Sequence, residues 1–368
     1  MGDNPNSRES AGLKGGAIPG LAGQAAFTLT RREPSPVPVL IAVPHAGRLY
    51  PSDLLGRMRS PGETALRLED RYVDLLASAV ARETGAALLL AHAPRAMIDL
   101  NRAPDEMDWD MLRFGAPAGR RGERMSRRAR SGLGLVPRRL PGMGELWRRP
   151  MEEADLEARL EGVHRPYHNA ISDNLGQIRA RWGAALLVDM HSMPPLSPRM
   201  PGEAAPEIVL GDRFGATCEG ALCAAAFDEL NRQRRVAAHN RPYAGGYVLD
   251  RHGRKDGGAG GGYDGRHRPF PYSPRAASGG GNRRAWPGGA ISAGGGIAAQ
   301  RTEASGPLPL RLSAGNKKPP RAYARGGQGT GRKHAFARLS GRAMREAATG
   351  LTKDRPPQAN CKPTGGHL

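Results

Sequence analysis

Two short apolar runs in this chain each deliver a histidine. Val37-Pro38-Val39-Leu40-Ile41-Ala42-Val43 leads into Pro44-His45-Ala46-Gly47, and Ala184 to Met190 leads into His191-Ser192. Apolar, β-branched runs of this length, without alternation, read as strands buried on both faces. Ala87-Leu88-Leu89-Leu90-Ala91 is another such strand, as is Glu207 to Gly211, with Val236 to His239 a candidate fifth. Leu66, Leu68, Val73, Leu76 and Val80 recur at helical spacing between Thr64 and Thr84, and Gly85 supplies the stop. Met151 to Trp182 and Arg213 to Arg234 are further helical stretches. Strands alternating with helices predict an α/β sheet covered on both faces. Such sheets hold their ligands at the carboxyl ends of the strands, where His45 and His191 both fall.

The regular pattern has limits. Residues 1–34 read as a flexible leader, and residues 103–150, rich in Arg, Gly and Pro, as a long surface excursion. After Arg254 the pattern stops. Residues 255–368 hold 20 of the 55 Lys and Arg but five of the 35 Asp and Glu, so they carry +15 of the net charge of +20. They also hold 24 of the 51 glycines. That composition buries too little apolar surface to offset chain ordering, and predicts disorder, with one weak helix near 334–349. No apolar run reaches the roughly 18 residues of a membrane span. The first 24 residues have Gly and Pro where a secretory signal is unbroken. Three cysteines make no disulfide framework, and Cys218 and Cys223 lack the spacing of a zinc knuckle. The expected compartment is a reducing cytoplasm.

Two strand-end histidines with acids nearby point to a metal, because neutral imidazole and carboxylate suit zinc and a hydrolytic site keeps three protein ligands. The acidic candidates are Glu69, Asp70 and Asp74, of which Asp70 and Asp74 are placed by their spacing on one helical face. The competing reading is a solvated face paired with Arg67 and Arg71. Asn101-Arg102 can hold a carboxylate by a two-pronged hydrogen bond plus an amide donor, or Arg102 can form a structural salt bridge with Asp99. Tyr167-His168 either faces a site or packs. The segment Arg241-Pro242-Tyr243-Ala244-Gly245-Gly246-Tyr247 either brings backbone close to a ligand or makes a tight turn.

Taken in order, several segments carry a resemblance. They are Val43 to Gly47 with Tyr50-Pro51, Glu69-Asp70 to Asp74-Leu75, Ile98 to Arg102, and Pro166-Tyr167-His168. Val188 to Met193, Val209 to Gly215 and Asn240 to Tyr247 complete the series. Over roughly residues 35–254 the chain resembles the N-formylglutamate amidohydrolases. The resemblance implies a mixed, mostly parallel sheet flanked by helices, of the phosphorylase/hydrolase-like type shared with zinc carboxypeptidases and aspartoacylases. It implies His45 and His191 as zinc ligands, with Asp70 as the third and Glu69 or Asp74 as fallbacks. The carboxypeptidase HxxE spacing is absent, since Arg48 stands three after His45. By the same resemblance Arg95, Asn101, Arg102, Tyr243 and Gly246 bind an N-formyl amino acid, and Arg102 and His168 assist the chemistry. The implied reaction releases formate and glutamate through a metal-activated water.

The family continues past the Gly-Gly-Tyr turn with a strand bearing Gln-x-Glu-x-Asn/Asp-Arg, which supplies a general base. Here His252-Gly253-Arg254 is followed by Lys255, and Asp256 and Asp264 lie among glycines. The amidohydrolase-like domain is therefore expected to be incomplete at its C-terminal end and impaired. The Gly/Arg/Pro/Ala richness beyond residue 255 is also what a GC-rich gene gives when read out of frame. Two other readings stand beside this one: nonspecific nucleic-acid binding through the basic tail, and a different N-acyl amino acid as substrate.

Overall fold

In the computed structural model, residues 12–120, 125–198 and 200–253 are described, together with the backbone of two strands, Arg8–Glu9 and Gly289–Gly295. The main sheet has eight strands. In chain order they are β1 (Leu13–Gly15), β2 (Phe27–Thr30), β3 (Val39–Val43), β4 (Ala87–Ala91), β5 (Leu186–Ser192), β6 (Ile208–Gly211), β7 (Ala237–His239) and β8 (Gly289–Gly295). Across the sheet they run β7-β6-β8-β5-β3-β4-β2-β1. The pairs β7/β6, β8/β5, β5/β3 and β3/β4 are parallel, and β6/β8, β4/β2 and β2/β1 are antiparallel. The sheet is mixed and flanked by helices.

Alternation within the central strands explains why they read as unbroken apolar runs. Val39, Ile41 and Val43 of β3, with Leu186, Val188 and Met190 of β5, pack against Val73, Ala77 and Val80 of the helix Val73–Thr84. Leu40, Ala42, Leu89 and Leu187 face the other way, onto Tyr167, Ile171, Leu175 and Ile178 of the helix Arg165–Trp182. Both faces are dry, so neither needs polar positions. From β3 the chain steps to β4 on one side and later to β5 on the other. The crevice between β3 and β5 is thus a switch point, where open α/β sheets place ligands.

Three expectations are corrected. The leader is built into the fold from residue 12: β1 and β2 extend the sheet, and Ile18, Ala26, Phe27 and Leu29 are core residues. Strands of three and four residues broken by Gly and Pro leave no periodic signal. The excursion 103–150 likewise buries Met107, Trp109, Met111, Leu135, Val136 and Leu146, supplied singly between turns rather than along one helical face. Past residue 254, the strand β8 lies between β5 and β6. Its sequence Gly-Ala-Ile-Ser-Ala-Gly-Gly has almost no strand propensity to read. The rest of 254–368, including Asp256, Asp264, the region near 334–349 and the segments behind the nucleic-acid and frameshift readings, lies outside the described residues. No helix among the described residues is long and apolar enough to cross a membrane.

Candidate metal centre

The predicted helix 64–84 is broken where it matters. It ends at Leu68 and restarts at Val73, with Tyr72 in the left-handed region at φ 67°. Asp70 sits in this break, and its N–H donates to the His45 carbonyl at 2.9 Å. Asp70 and Asp74 therefore share no helical face. Asp70 turns inward to the histidines, whereas Asp74 accepts from both terminal nitrogens of Arg48 at 3.2 and 3.1 Å. Glu69 lies 3.2 Å from Arg71 and 3.6 Å from Arg48. Of the three acids, only Asp70 joins His45 and His191.

Asp70 Oδ2 lies 2.8 Å from His191 Nδ1 and 3.5 Å from His45 Nδ1, and the two imidazole centroids are 4.8 Å apart. The three ligating atoms lie within 4.8 Å of one another. Each histidine is held from behind by a carboxylate. His45 Nε2 donates to Asp99 Oδ1 at 2.7 Å, and His191 Nε2 donates to Asp189 Oδ2 at 2.9 Å. This fixes the tautomers, leaving both Nδ1 atoms directed at Asp70, the arrangement that outer carboxylates impose on metal-binding histidines. His45 Nδ1 is buried with no hydrogen-bond partner among the described residues. An orphaned buried nitrogen beside a carboxylate fits a cation held by His45, Asp70 and His191.

Burial opposes charge on His191, but Asp189 and Asp70 overcome it and push its pKa up from 6.5 to about 10. Burial would raise the Asp70 carboxyl, yet the hydrogen bond from His191, with His45 close by, holds it well below the usual range. Without metal, then, His191 is an imidazolium donating from both nitrogens. The stability it contributes is full below pH 6.5 and fades as pH rises through about 10. A metal must displace the Nδ1 proton, so binding should tighten with rising pH, by about tenfold per unit over this window. Calorimetric titration in buffers of different ionisation enthalpy should register about one proton released at pH 7.5.

Residues 37–260 match the model of the N-formylglutamate amidohydrolase family. The chain belongs to that family. It is 31% identical to an N-formylglutamate deformylase of Pseudomonas aeruginosa, over 60% of this chain and 76% of the relative. It is likewise 31% identical to the Pseudomonas putida N-formylglutamate deformylase, over 50% and 63%. The crystal structure of an N-formylglutamate amidohydrolase from Ralstonia eutropha JMP134 superposes with a TM-score of 0.64 at 25% identity, covering 88% of this chain and 99% of that one. A protein from Agrobacterium tumefaciens shares the fold alone, at TM-score 0.54 and 15% identity, over 89% and 96%.

The other predicted residues divide into those near the candidate metal centre and those that brace it. Arg95 belongs with the first group. Its Nε donates to Asp99 Oδ2 at 2.9 Å, so it, not Arg102, is the partner of Asp99, and its terminal nitrogens make no hydrogen bond among the described residues. Arg102 is anchored by Nε to the Leu133 carbonyl and by one terminal nitrogen to the Asn101 carbonyl, leaving the second terminal nitrogen unused among the described residues. Tyr243, 44% exposed, lies near Arg95.

Asn101 and His168 depart from their expected roles. The Asn101 amide nitrogen donates to Asp189 Oδ2, the same oxygen that His191 uses, and its Oδ1 accepts from the Val248 N–H at 2.9 Å. It braces the centre. His168 is fully buried, with Nε2 donating to the Leu100 carbonyl at 3.0 Å and Nδ1 accepting from His252 Nε2 at 2.9 Å. Burial, then His164 and His252, hold its pKa well below 6.5, so it is neutral and has no nitrogen left for catalysis. The correction has a physical reason: a π-helical turn at Leu160–His164 aims His164 and His168 at the Arg102 and Leu100 carbonyls, making them supports of the 99–102 loop.

Gly246 is likewise a matter of space. A Cβ there would lie 2.5 Å from Asn101 Oδ1. Gly246→Ala should displace Asn101 from Val248 and Asp189 and destabilise the fold by about 1–3 kcal/mol, measured by urea denaturation. Sequence reasoning missed Asp99 and Asp189 as outer partners. The signal for Asp189 was present, since residues two apart on a strand share a face. Arg128 is exposed, and the charges of Arg102 and Arg95 oppose its own. Leu133 links the two, accepting from Arg102 and donating to the Arg128 carbonyl.

Proposed function

We propose that this chain hydrolyses N-formyl-L-glutamate, or a closely related N-acyl amino acid, to formate and the free amino acid in the cytoplasm. The observation that carries the reading is the convergence of His45 Nδ1, Asp70 Oδ2 and His191 Nδ1, each imidazole backed by its own carboxylate. Zinc is the metal that these ligands suit, and when bound it would lower the pKa of water towards about 7 and polarise the formyl carbonyl. Arg95 and Arg102, with Arg128 near them, supply fixed positive charge for a substrate with two carboxylates. Asp99 and Asp189 keep the imidazole Nδ1 atoms deprotonated when metal is bound, and Asn101 holds Asp189 in place.

The resemblance puts the general base on the strand that follows the Gly-Gly-Tyr turn. Asp99 and Asp189 already accept ring N–H groups, and the sequence of β8 contains no acid. Losing a general base costs about 10²–10⁴-fold in rate. The purified full-length chain should therefore release formate from N-formylglutamate only with zinc, and about 10²–10⁴-fold more slowly than the Pseudomonas aeruginosa enzyme assayed beside it. Equal turnover would overturn the impairment. No zinc-stimulated formate release above the uncatalysed rate would overturn the function.

A further inference from the structure

A second set of ligating atoms closes the ends of β6 and β7. Asp212 directly follows β6, His239 ends β7, and Cys223 lies in the first turn of the connecting helix Gly220–Arg232. Asp212 Oδ2 is 3.3 Å from Cys223 Sγ, Asp212 Oδ1 is 3.1 Å from His239 Nε2, and the three ligating atoms lie within 4.8 Å of one another. The Cys218 thiol stands beside that of Cys223, and both cysteines are free and buried. His239 is half-exposed yet held, its ring edge-on to Phe227 with centroids 5.4 Å apart.

We propose that Asp212, Cys223 and His239 hold a structural zinc ion, with the Cys218 thiol beside Cys223, distinct from the centre at His45, Asp70 and His191. Zinc bonds of about 2.0 Å to oxygen or nitrogen and about 2.3 Å to sulfur give tetrahedral edges of about 3.3 to 3.5 Å. The Cys223 Sγ to Asp212 Oδ2 distance of 3.3 Å matches that scale. Asp212 Oδ1 also accepts from Asn240 Nδ2 at 2.7 Å and the Gly215 N–H at 2.9 Å, so Oδ2 is the oxygen left for a metal. The buried Cys223 thiol gives the set its softness, and the exposed edge of His239 gives an ion a way in. Metal would replace the thiol proton, since a coordinating thiol is deprotonated outright. Its structural effect would be to pin the crossover between two parallel strands at the sheet edge. Sequence spacing rejects a zinc knuckle here because that test sees only ligands close in the chain, and these three come from three different elements.

Cobalt distinguishes this site from the first, which has no sulfur. The full-length chain titrated with Co²⁺ should bind two equivalents and show a near-ultraviolet sulfur-to-cobalt charge-transfer band. Cys223→Ser should remove the band and one equivalent, and the milder surface change His239→Ala should weaken the band and the second equivalent. Asp70→Asn should lose one equivalent and keep the band, whatever the substrate of the first centre. Zinc should also protect Cys223 from a thiol reagent, read by peptide mapping because Cys361 lies outside the site. A wild-type chain that binds metal without the band, or whose Cys223 stays reactive in zinc, overturns the proposal. So does a Cys218–Cys223 disulfide found by non-reducing peptide mapping.

Discussion

Asp70→Asn should leave the chain folded and remove metal from the centre formed with His45 and His191. The amide keeps the volume of the carboxyl but not its charge, and two neutral imidazoles alone bind a divalent ion poorly. The loss of affinity should exceed the about 10–100-fold that follows removal of an outer partner, and formate release should fall to its metal-free level. Glu69→Gln and Asp74→Asn are the informative controls. Asp74 pairs with Arg48, a surface contact worth about 0–1 kcal/mol, so its loss should leave metal affinity unchanged. Glu69 is buried against Arg71 and Arg48, and burial followed by Glu69 raises the Tyr50 phenol, so Glu69→Gln should lower stability while retaining metal. Metal content by elemental analysis separates the three. Retention of metal by Asp70→Asn with loss in either control would reassign the third ligand.

The three variants probe what sequence alone left open. Strands β3, β4, β5 and β6 were legible because a strand buried on both faces must be apolar throughout, and the two histidines because they follow such runs directly. The choice among Glu69, Asp70 and Asp74 was not legible. It depends on a helix break at residues 69–72 that no Gly or Pro announces, with Tyr72 taking positive φ against its own propensity. The helical reading of this stretch put Asp70 beside Asp74; the break turns them onto different partners. His168 was misread for a related reason. A Tyr-His pair on a helix has no sequence mark that tells a ligand from a donor to a distant backbone carbonyl, and the π-turn that aims it leaves no periodic trace. The leader and β8 escaped because β1 and β2 are only three and four residues long and β8 is mostly Gly and Ala, so each owes its order to its neighbours.

Asp99 should prove the most costly side chain of the centre to delete. It is wholly buried, and its two oxygens serve three donors: His45 Nε2 at 2.7 Å, the Asn101 N–H at 2.8 Å and Arg95 Nε at 2.9 Å. Burial alone would raise its pKa, but Arg95 and then His45 hold it well below the usual 3.8, so it is charged at neutral pH. The stability this supplies is present above pH 3.8 and is lost as pH falls through the depressed value. Asp99→Ala strands the Arg95 guanidinium without its counter-charge, and breaking such a buried pair costs about 3–5 kcal/mol. Urea denaturation should show a loss of that size, with acid sensitivity reduced. Asp99→Asn separates folding from function, because it keeps the volume and can still accept from Arg95. Its amide N–H₂ would face His45 Nε2, which must then accept, moving the ring proton to Nδ1, the atom that faces Asp70. A folded Asp99→Asn chain should therefore bind zinc about 10–100-fold more weakly than wild type in a chelator competition. Unchanged affinity would mean that the His45 tautomer is set by something other than Asp99, and that the imidazole presents a different nitrogen to the metal.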